Sequence, residues 1–234
     1  MKLPKAEYPL TDIFVYSLDK NVGFRPFLVK EEKILRVEDI PNKSRSQLIQ
    51  DMYTCITSCS LGELDASTLP IFDIQNIWII LQRLNQSPNI PYSIPCSHCD
   101  TENTVENDFN EYGIYTDKTH ISVVDIRKNF QIKMRYPTAL ELCELDDEKL
   151  QEQFYDMAAS CIELVKYDGK FLSIDEEEKI EIIENMTQVE FKEVKRFFET
   201  MPVVQNIVRF NCDECDTENA VIFDGWYKLR RLEE

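Results

Sequence analysis

An α+β fold, mostly helical with a small antiparallel sheet, is predicted by three observations. Apolar residues recur at steps of three and four through several long stretches, the period of a helix with one buried face. Clean alternation is confined to short segments, the best being Phe130–Tyr136. Two C-x2-C motifs, Cys96-Ser97-His98-Cys99 and Cys212-Asp213-Glu214-Cys215, lead into near-copies, Asp100-Thr101-Glu102-Asn103-Thr104-Val105 and Asp216-Thr217-Glu218-Asn219-Ala220-Val221. The repeated pair reads as a split zinc-ribbon-like four-cysteine site, closed by residues far apart in sequence.

In chain order, Tyr8–Leu18 alternates loosely and reads as extended. Leu28, Ile34, Leu35 and Val37 around Lys30-Glu31-Glu32-Lys33 predict a short amphipathic helix. Leu48, Ile49, Met52, Tyr53, Cys55, Ile56 and Cys59 predict a longer one over 45–59. Thr68-Leu69-Pro70 opens the next, since proline is tolerated in a first turn. Phe72, Ile74, Ile77, Trp78, Ile80, Leu81 and Leu84 make that helix apolar around much of its circumference, so it is expected to be central to the N-terminal core, and Trp78 reads as a packing residue with a binding aromatic as the other possibility. Pro88 and Pro91 break it.

Strands are predicted at Asn103–Phe109, Ile121–Val124 and Phe130–Tyr136. Pro137-Thr138 opens a second helical region, and the stripe Phe154, Met157, Ala158, Cys161, Ile162, Leu164, Val165 reads as one helix ending near Lys166. Tyr167-Asp168-Gly169-Lys170 is a turn without the ligand spacing of a calcium loop. Ser173 with Glu176, and Thr187 with Glu190, have capping-box spacing. The acidic run Asp175–Glu178 suits a helix N-terminus and reads as a solvated first turn. Val203–Phe210 then runs as a strand into Cys212.

The two C-x2-C pairs present Cys96, Cys99, Cys212 and Cys215 as ligands of a structural Zn²⁺, since four thiolates fill a tetrahedral shell and leave no open position. A catalytic zinc, a redox dithiol and a metal-free reading stay open beside it, and His98 could replace one neighbouring cysteine. Between positions 99 and 212 lie 112 residues, too many for a ribbon hairpin and fitting an inserted unit. The chain therefore divides into an N-terminal helical region over 1–88, a zinc-ribbon-like module from 89–110 with 203–234, and an inserted strand-helix region over 111–202. Cys55, Cys59, Cys143 and Cys161 lie among apolar residues and read as buried thiols, although Cys55 and Cys59 share a helix face, which leaves a ligand role open for that pair.

A 43% hydrophobic and 29% charged composition is that of a folded globular protein, and no apolar run approaches the roughly 20 residues of a membrane span. The N-terminus has no apolar segment of signal-peptide type, so an intracellular chain is expected. A formal charge of −17 repels phosphate backbones and disfavours nucleic acid as a partner. With two histidines, His98 and His120, five glycines and no phosphate-binding loop, catalytic chemistry is not expected and no catalytic residue is assigned.

Several stretches together resemble the baseplate proteins of T-even-like tailed phages, the small family associated with assembly of the central baseplate hub. They are Phe24–Leu35, Leu69–Ile74, the two C-x2-C pairs and Phe197-Phe198-Glu199-Thr200-Met201-Pro202. The resemblance implies a non-enzymatic hub subunit or hub assembly chaperone. Its partners would be phage baseplate or hub proteins, and its place the host cytoplasm during virion assembly or the virion baseplate. The alternative is a zinc-ribbon nucleic-acid-binding regulator, or, less in keeping with four paired cysteines, a thiol oxidoreductase. Phe24–Lys33 reads as a strand and helix packed on the central helix, with a partner-binding arm as the other possibility. Trp226-Tyr227-Lys228-Leu229-Arg230-Arg231-Leu232 is a basic amphipathic patch that could dock on a partner or cap the domain.

Overall fold

A computed structural model describes residues 7–34, 43–85, 89–145 and 150–224. In chain order the elements are β1 (Thr11–Val15), β2 (Lys20–Phe24), α1 (Val29–Ile34), α2 (Arg45–Cys59), α3 (Ile71–Asn85), β3 (Asn89–Pro95), β4 (Glu102–Asp108) and β5 (Gly113–Tyr115). There follow β6 (Val123–Arg127), β7 (Phe130–Met134), α4 (Ala139–Cys143), α5 (Leu150–Ser160), β8 (Ile162–Tyr167), β9 (Lys170–Leu172), α6 (Glu176–Glu184), α7 (Gln188–Thr200), β10 (Val203–Asn211) and β11 (Glu218–Asp224).

These are seven helices and eleven strands among the described residues, and the strands form four antiparallel sheets. The expectation of a mostly helical chain with one small sheet is thereby corrected. Two segments account for much of the difference. The stripe over 154–165 is not one helix: α5 ends at Ser160, and Ile162–Tyr167 turns back as a strand between β7 and β9. Ile162 and Val165 are β-branched and buried, and the Asp168-Gly169 turn, with φ of 46° and 80°, folds β9 onto the strand. Near the N-terminus, the extended stretch pairs with Lys20–Phe24, which carries no obvious pattern. Asp19, at φ 49°, makes the left-handed turn between them without a glycine.

The chain forms two compact units, one from the residues up to Tyr115 with those from Val203 onward, the other Thr116–Pro202. In the first, Ser44 and Gln47 form a capping box that starts α2, and Pro70 precedes α3. Phe72, Ile74, Ile77, Trp78 and Leu81 of α3 are buried. Asp73 on the same helix is fully buried because it accepts the N–H groups of Tyr16 and Ser17, each at 2.9 Å, and so ties the β1–β2 hairpin to α3. Phe24 and Phe27 are buried, Phe27 with its ring 5.4 Å from Trp78. That segment packs as a strand and helix against the core, and Trp78 is a packing residue. Hairpin β3–β4 and the sheet β11-β10-β5 share a small core of Ile94, Val105, Val208 and Phe223.

The second unit is the sheet β6-β7-β8-β9 with α4 to α7. Its core joins Ile132 and Ile162 to Met157, Val194 and Phe197. Helix α7 starts at the Thr187–Glu190 capping box, as the spacing predicts. The box at α6 is Asp175 with Glu178, two residues beyond the expected Ser173–Glu176, and the acidic run forms that helix's first turn. The basic patch over 226–232 lies outside the described residues. Among the described residues no helix is long and apolar enough to cross a membrane.

Candidate metal centre

Each C-x2-C lies in the turn of a hairpin. The first joins β3 to β4, which pair in full register from Asn89↔Asp108 to Pro95↔Glu102. The second joins β10 to β11, paired from Gln205↔Asp224 to Asn211↔Glu218. The two turns are built alike. In the first, Cys96 N–H donates to Thr101 O at 2.9 Å and Asp100 N–H to Cys96 O at 3.1 Å. In the second, Cys212 N–H donates to Thr217 O at 3.0 Å and Asp216 N–H to Cys212 O at 2.9 Å. Asp100 and Asp216 stand at φ 57° and 55°, a conformation that aspartate tolerates better than most residues.

The fold brings these turns together, so that one sulfur from each of Cys96, Cys99, Cys212 and Cys215 lies within 4.8 Å of every other. Individual Sγ–Sγ distances are 3.7 Å for Cys96–Cys215, 3.6 Å for Cys99–Cys212 and 3.5 Å for Cys99–Cys215. Four sulfurs held about 2.3 Å from one ion would stand about 3.8 Å apart. A disulfide requires about 2.05 Å, and none of these pairs approaches it. The donor set and its spacing fit a tetrahedral, thiolate-bound metal.

Backbone N–H groups are aimed at the sulfurs. His98 N–H donates to Cys96 Sγ at 3.4 Å. The N–H groups of His98 and Cys99 draw the Cys96 thiol down to about 6, and those of Cys215 and Glu214 lower Cys212. The Thr101 and Thr217 hydroxyls lie 3.3 and 3.2 Å from Cys99 Sγ and Cys215 Sγ. The backbone donors favour the charged form that a cation needs at Cys96 and Cys212, whereas at Cys99 the bonds from Thr101 are outweighed by the neighbouring Cys215 and Cys212 thiols, which push it up to about 11.

Two buried asparagines complete the centre, and sequence reasoning assigned them no role. Asn219 Nδ2 donates to Thr217 O at 2.8 Å and to Cys96 Sγ at 3.5 Å, while its Oδ1 accepts from Ser97 N–H at 2.9 Å and Ser97 Oγ at 2.8 Å. Asn103 Nδ2 donates to Thr101 O at 2.7 Å and lies 3.7 Å from Cys212 Sγ, while its Oδ1 accepts from Asp213 N–H at 2.9 Å. Each asparagine therefore holds the opposite turn. The available signal was the copied Cys-Asp-Thr-Glu-Asn, whose last residue is these two.

The remaining sequence candidates lie apart from the four sulfurs. His98 is exposed on its turn and its ring is not in the cluster. His120 is half-buried, with Nδ1 3.0 Å from Thr200 Oγ1 and Nε2 2.9 Å from Tyr136 Oη. Burial lowers its pKa, against the opposing pull of Asp117. Cys55, Cys59 and Cys161 are fully buried, and burial pushes their thiols up to about 12, 11 and 11. Cys143 is half-buried.

The model of a family described as T4 bacteriophage base plate protein matches residues 6–228, nearly the whole chain. No curated protein and no solved structure matches it.

Proposed function

The chain belongs to the T4 bacteriophage base plate protein family, and we propose that within it the protein is a hub subunit or hub assembly factor. It acts through contacts with other baseplate proteins, without enzymatic activity, and carries one structural zinc on Cys96, Cys99, Cys212 and Cys215. The family match over nearly the full length carries the baseplate role. The hub assignment rests on the stretches Phe24–Leu35, Leu69–Ile74 and Phe197–Pro202. A net charge of −17 supports protein surfaces over nucleic acid as the partner. The reading places the protein in the host cytoplasm during virion assembly.

The zinc rests on donor chemistry: four sulfurs at tetrahedral spacing, backbone N–H groups directed at them, and no nitrogen or carboxylate among the clustered donors. Four protein ligands leave no open position for a substrate, so the ion's contribution is to fold stability. Purification of a tagged chain from infected cells, with identification of the accompanying proteins, tests the function. Baseplate hub components are expected. Recovery of other baseplate proteins without any hub component would refute the hub role.

A further inference from the structure

The copied cysteine turns are not an isolated coincidence, because a second constellation also occurs twice. Arg25 follows the β1–β2 hairpin, and its N–H donates to Cys59 O, at the end of α2, at 3.0 Å. Its guanidinium contacts Pro26 O at 2.9 Å and both carboxylate oxygens of Glu31, six residues on, at 3.2 and 2.8 Å. Glu31 also accepts from Leu28 N–H at 2.8 Å.

Arg135 follows the β6–β7 hairpin in the same way. Its N–H donates to Cys161 O, just past the end of α5, at 2.8 Å. Its guanidinium contacts Tyr136 O at 3.2 Å and both oxygens of Glu141, again six residues on, at 2.9 and 2.7 Å. Glu141 accepts from Thr138 N–H at 2.7 Å. Each cysteine follows a serine, Ser58-Cys59 and Ser160-Cys161, and both cysteines are fully buried.

The element order matches as well. Hairpin, short helix, longer helix with a cysteine at or just past its end, later helix and cysteine-turn hairpin run once as β1-β2-α1-α2-α3-β3-β4. They run again as β6-β7-α4-α5-α7-β10-β11, with β8, β9 and α6 as additions and β5 between the two runs. We infer that the chain is a tandem duplication of one module, and that the four-cysteine centre is the joint at which the two copies are clasped. Each copy supplies one C-x2-C turn and one asparagine, Asn103 or Asn219, which holds the other copy's turn.

Two alternatives make different demands. A ribbon with one structural and one accessory hairpin needs no equivalence between its turns. Independent acquisition of two metal turns would leave the Arg–Glu–Cys constellations unexplained, since they lie outside the centre. Descent from one module accounts for both repeats with a single cause. It also gives Asn103 and Asn219 equivalent roles, since each fixes the opposite turn through its backbone N–H and directs an amide hydrogen toward that turn's first cysteine. They are positioning residues of the centre, not ligands.

The inference rests on the reading of the centre as a metal site, and the test separates the two. Full-length protein is loaded with zinc or cobalt, affinity is measured by competition with a chelator, and the cobalt spectrum reports ligand geometry. Asn103→Ala and Asn219→Ala are each expected to weaken binding by roughly 10–100-fold and to shift the cobalt bands in the same sense. A companion variant exchanges the inner residues of the turns (Ser97→Asp and His98→Glu with Asp213→Ser and Glu214→His). It is expected to bind within about tenfold of the unaltered chain, less than the loss of a positioning residue. Unequal asparagine effects, or loss of binding on exchange, would overturn the joint while leaving the metal reading intact. An unaltered chain that takes up neither metal would overturn both.

Discussion

Glu31 is only 1% exposed, and burial alone would raise its pKa. The bonds from Arg25, Leu28 N–H and Ser58 outweigh burial and hold it at about 2, below its ordinary 4.5. Because the folded value is the lower one, the stability it contributes is complete above about 4.5 and is lost as pH falls toward 2. Glu31→Gln, which leaves Arg25 buried beside a neutral partner, is expected to cost about 3–5 kcal/mol in denaturant unfolding near neutral pH. It should also flatten the pH dependence of stability below about pH 5. An unchanged midpoint and profile would show that Arg25 is satisfied without Glu31. The matching pair Arg135–Glu141 is about a third exposed, so Glu141→Gln should cost less, about 1 kcal/mol. The four cysteines were legible from spacing because each C-x2-C is a local signal. The partners of Asn103, Asn219, Arg25 and Arg135 were not. Their bonds run between turns or elements that chain topology alone brings together, and a charged residue in sequence looks the same whether solvated or buried.

Among the elements, helices with long amphipathic stripes and capping boxes are legible in the sequence, α2 to its ends and α7 at its cap. In α7, Thr187 Oγ1 accepts from Glu190 N–H at 3.3 Å, so Thr187→Ala is expected to destabilise the second unit by about 1 kcal/mol. Thermal denaturation compared with Thr187→Ser, which keeps the acceptor, checks this, and equal losses in both variants would refute the cap's contribution. Short strands carry too few positions to be legible in the same way. In β8 the residues Ile162, Leu164 and Val165 continue the helical period of α5, and periodicity over so few positions cannot separate the two states. What decides is tertiary: β8 pairs with β7 from Phe130↔Tyr167 to Met134↔Ile162, with its buried side chains in the sheet's core. Truncating Ile162 to Ala should cost about 2–5 kcal/mol, as for a fully buried core position, read by chemical denaturation. A loss below about 1 kcal/mol would place it outside the core.

For the whole molecule, the cysteine centre closes a segment of more than a hundred residues, because Cys99 and Cys212 are 113 positions apart and their sulfurs 3.6 Å. Closing so long a loop restricts the unfolded chain, and metal binding worth on the order of 10 kcal/mol can offset the cost several times over. Removing the metal with a chelator is therefore expected to lower the unfolding temperature, with recovery on adding zinc. The acidic charge of −17 gives the molecule a surface suited to basic protein partners, in keeping with the proposed action by contact. The four-cysteine centre is tested most directly by elemental analysis of the purified protein, with thiol titration on the same sample. About one zinc per chain, with Cys96, Cys99, Cys212 and Cys215 protected from thiol reagents until a chelator is added, is the result expected of a filled tetrahedral site. Protein without metal, whose same four thiols react freely while the fold persists, would contradict it.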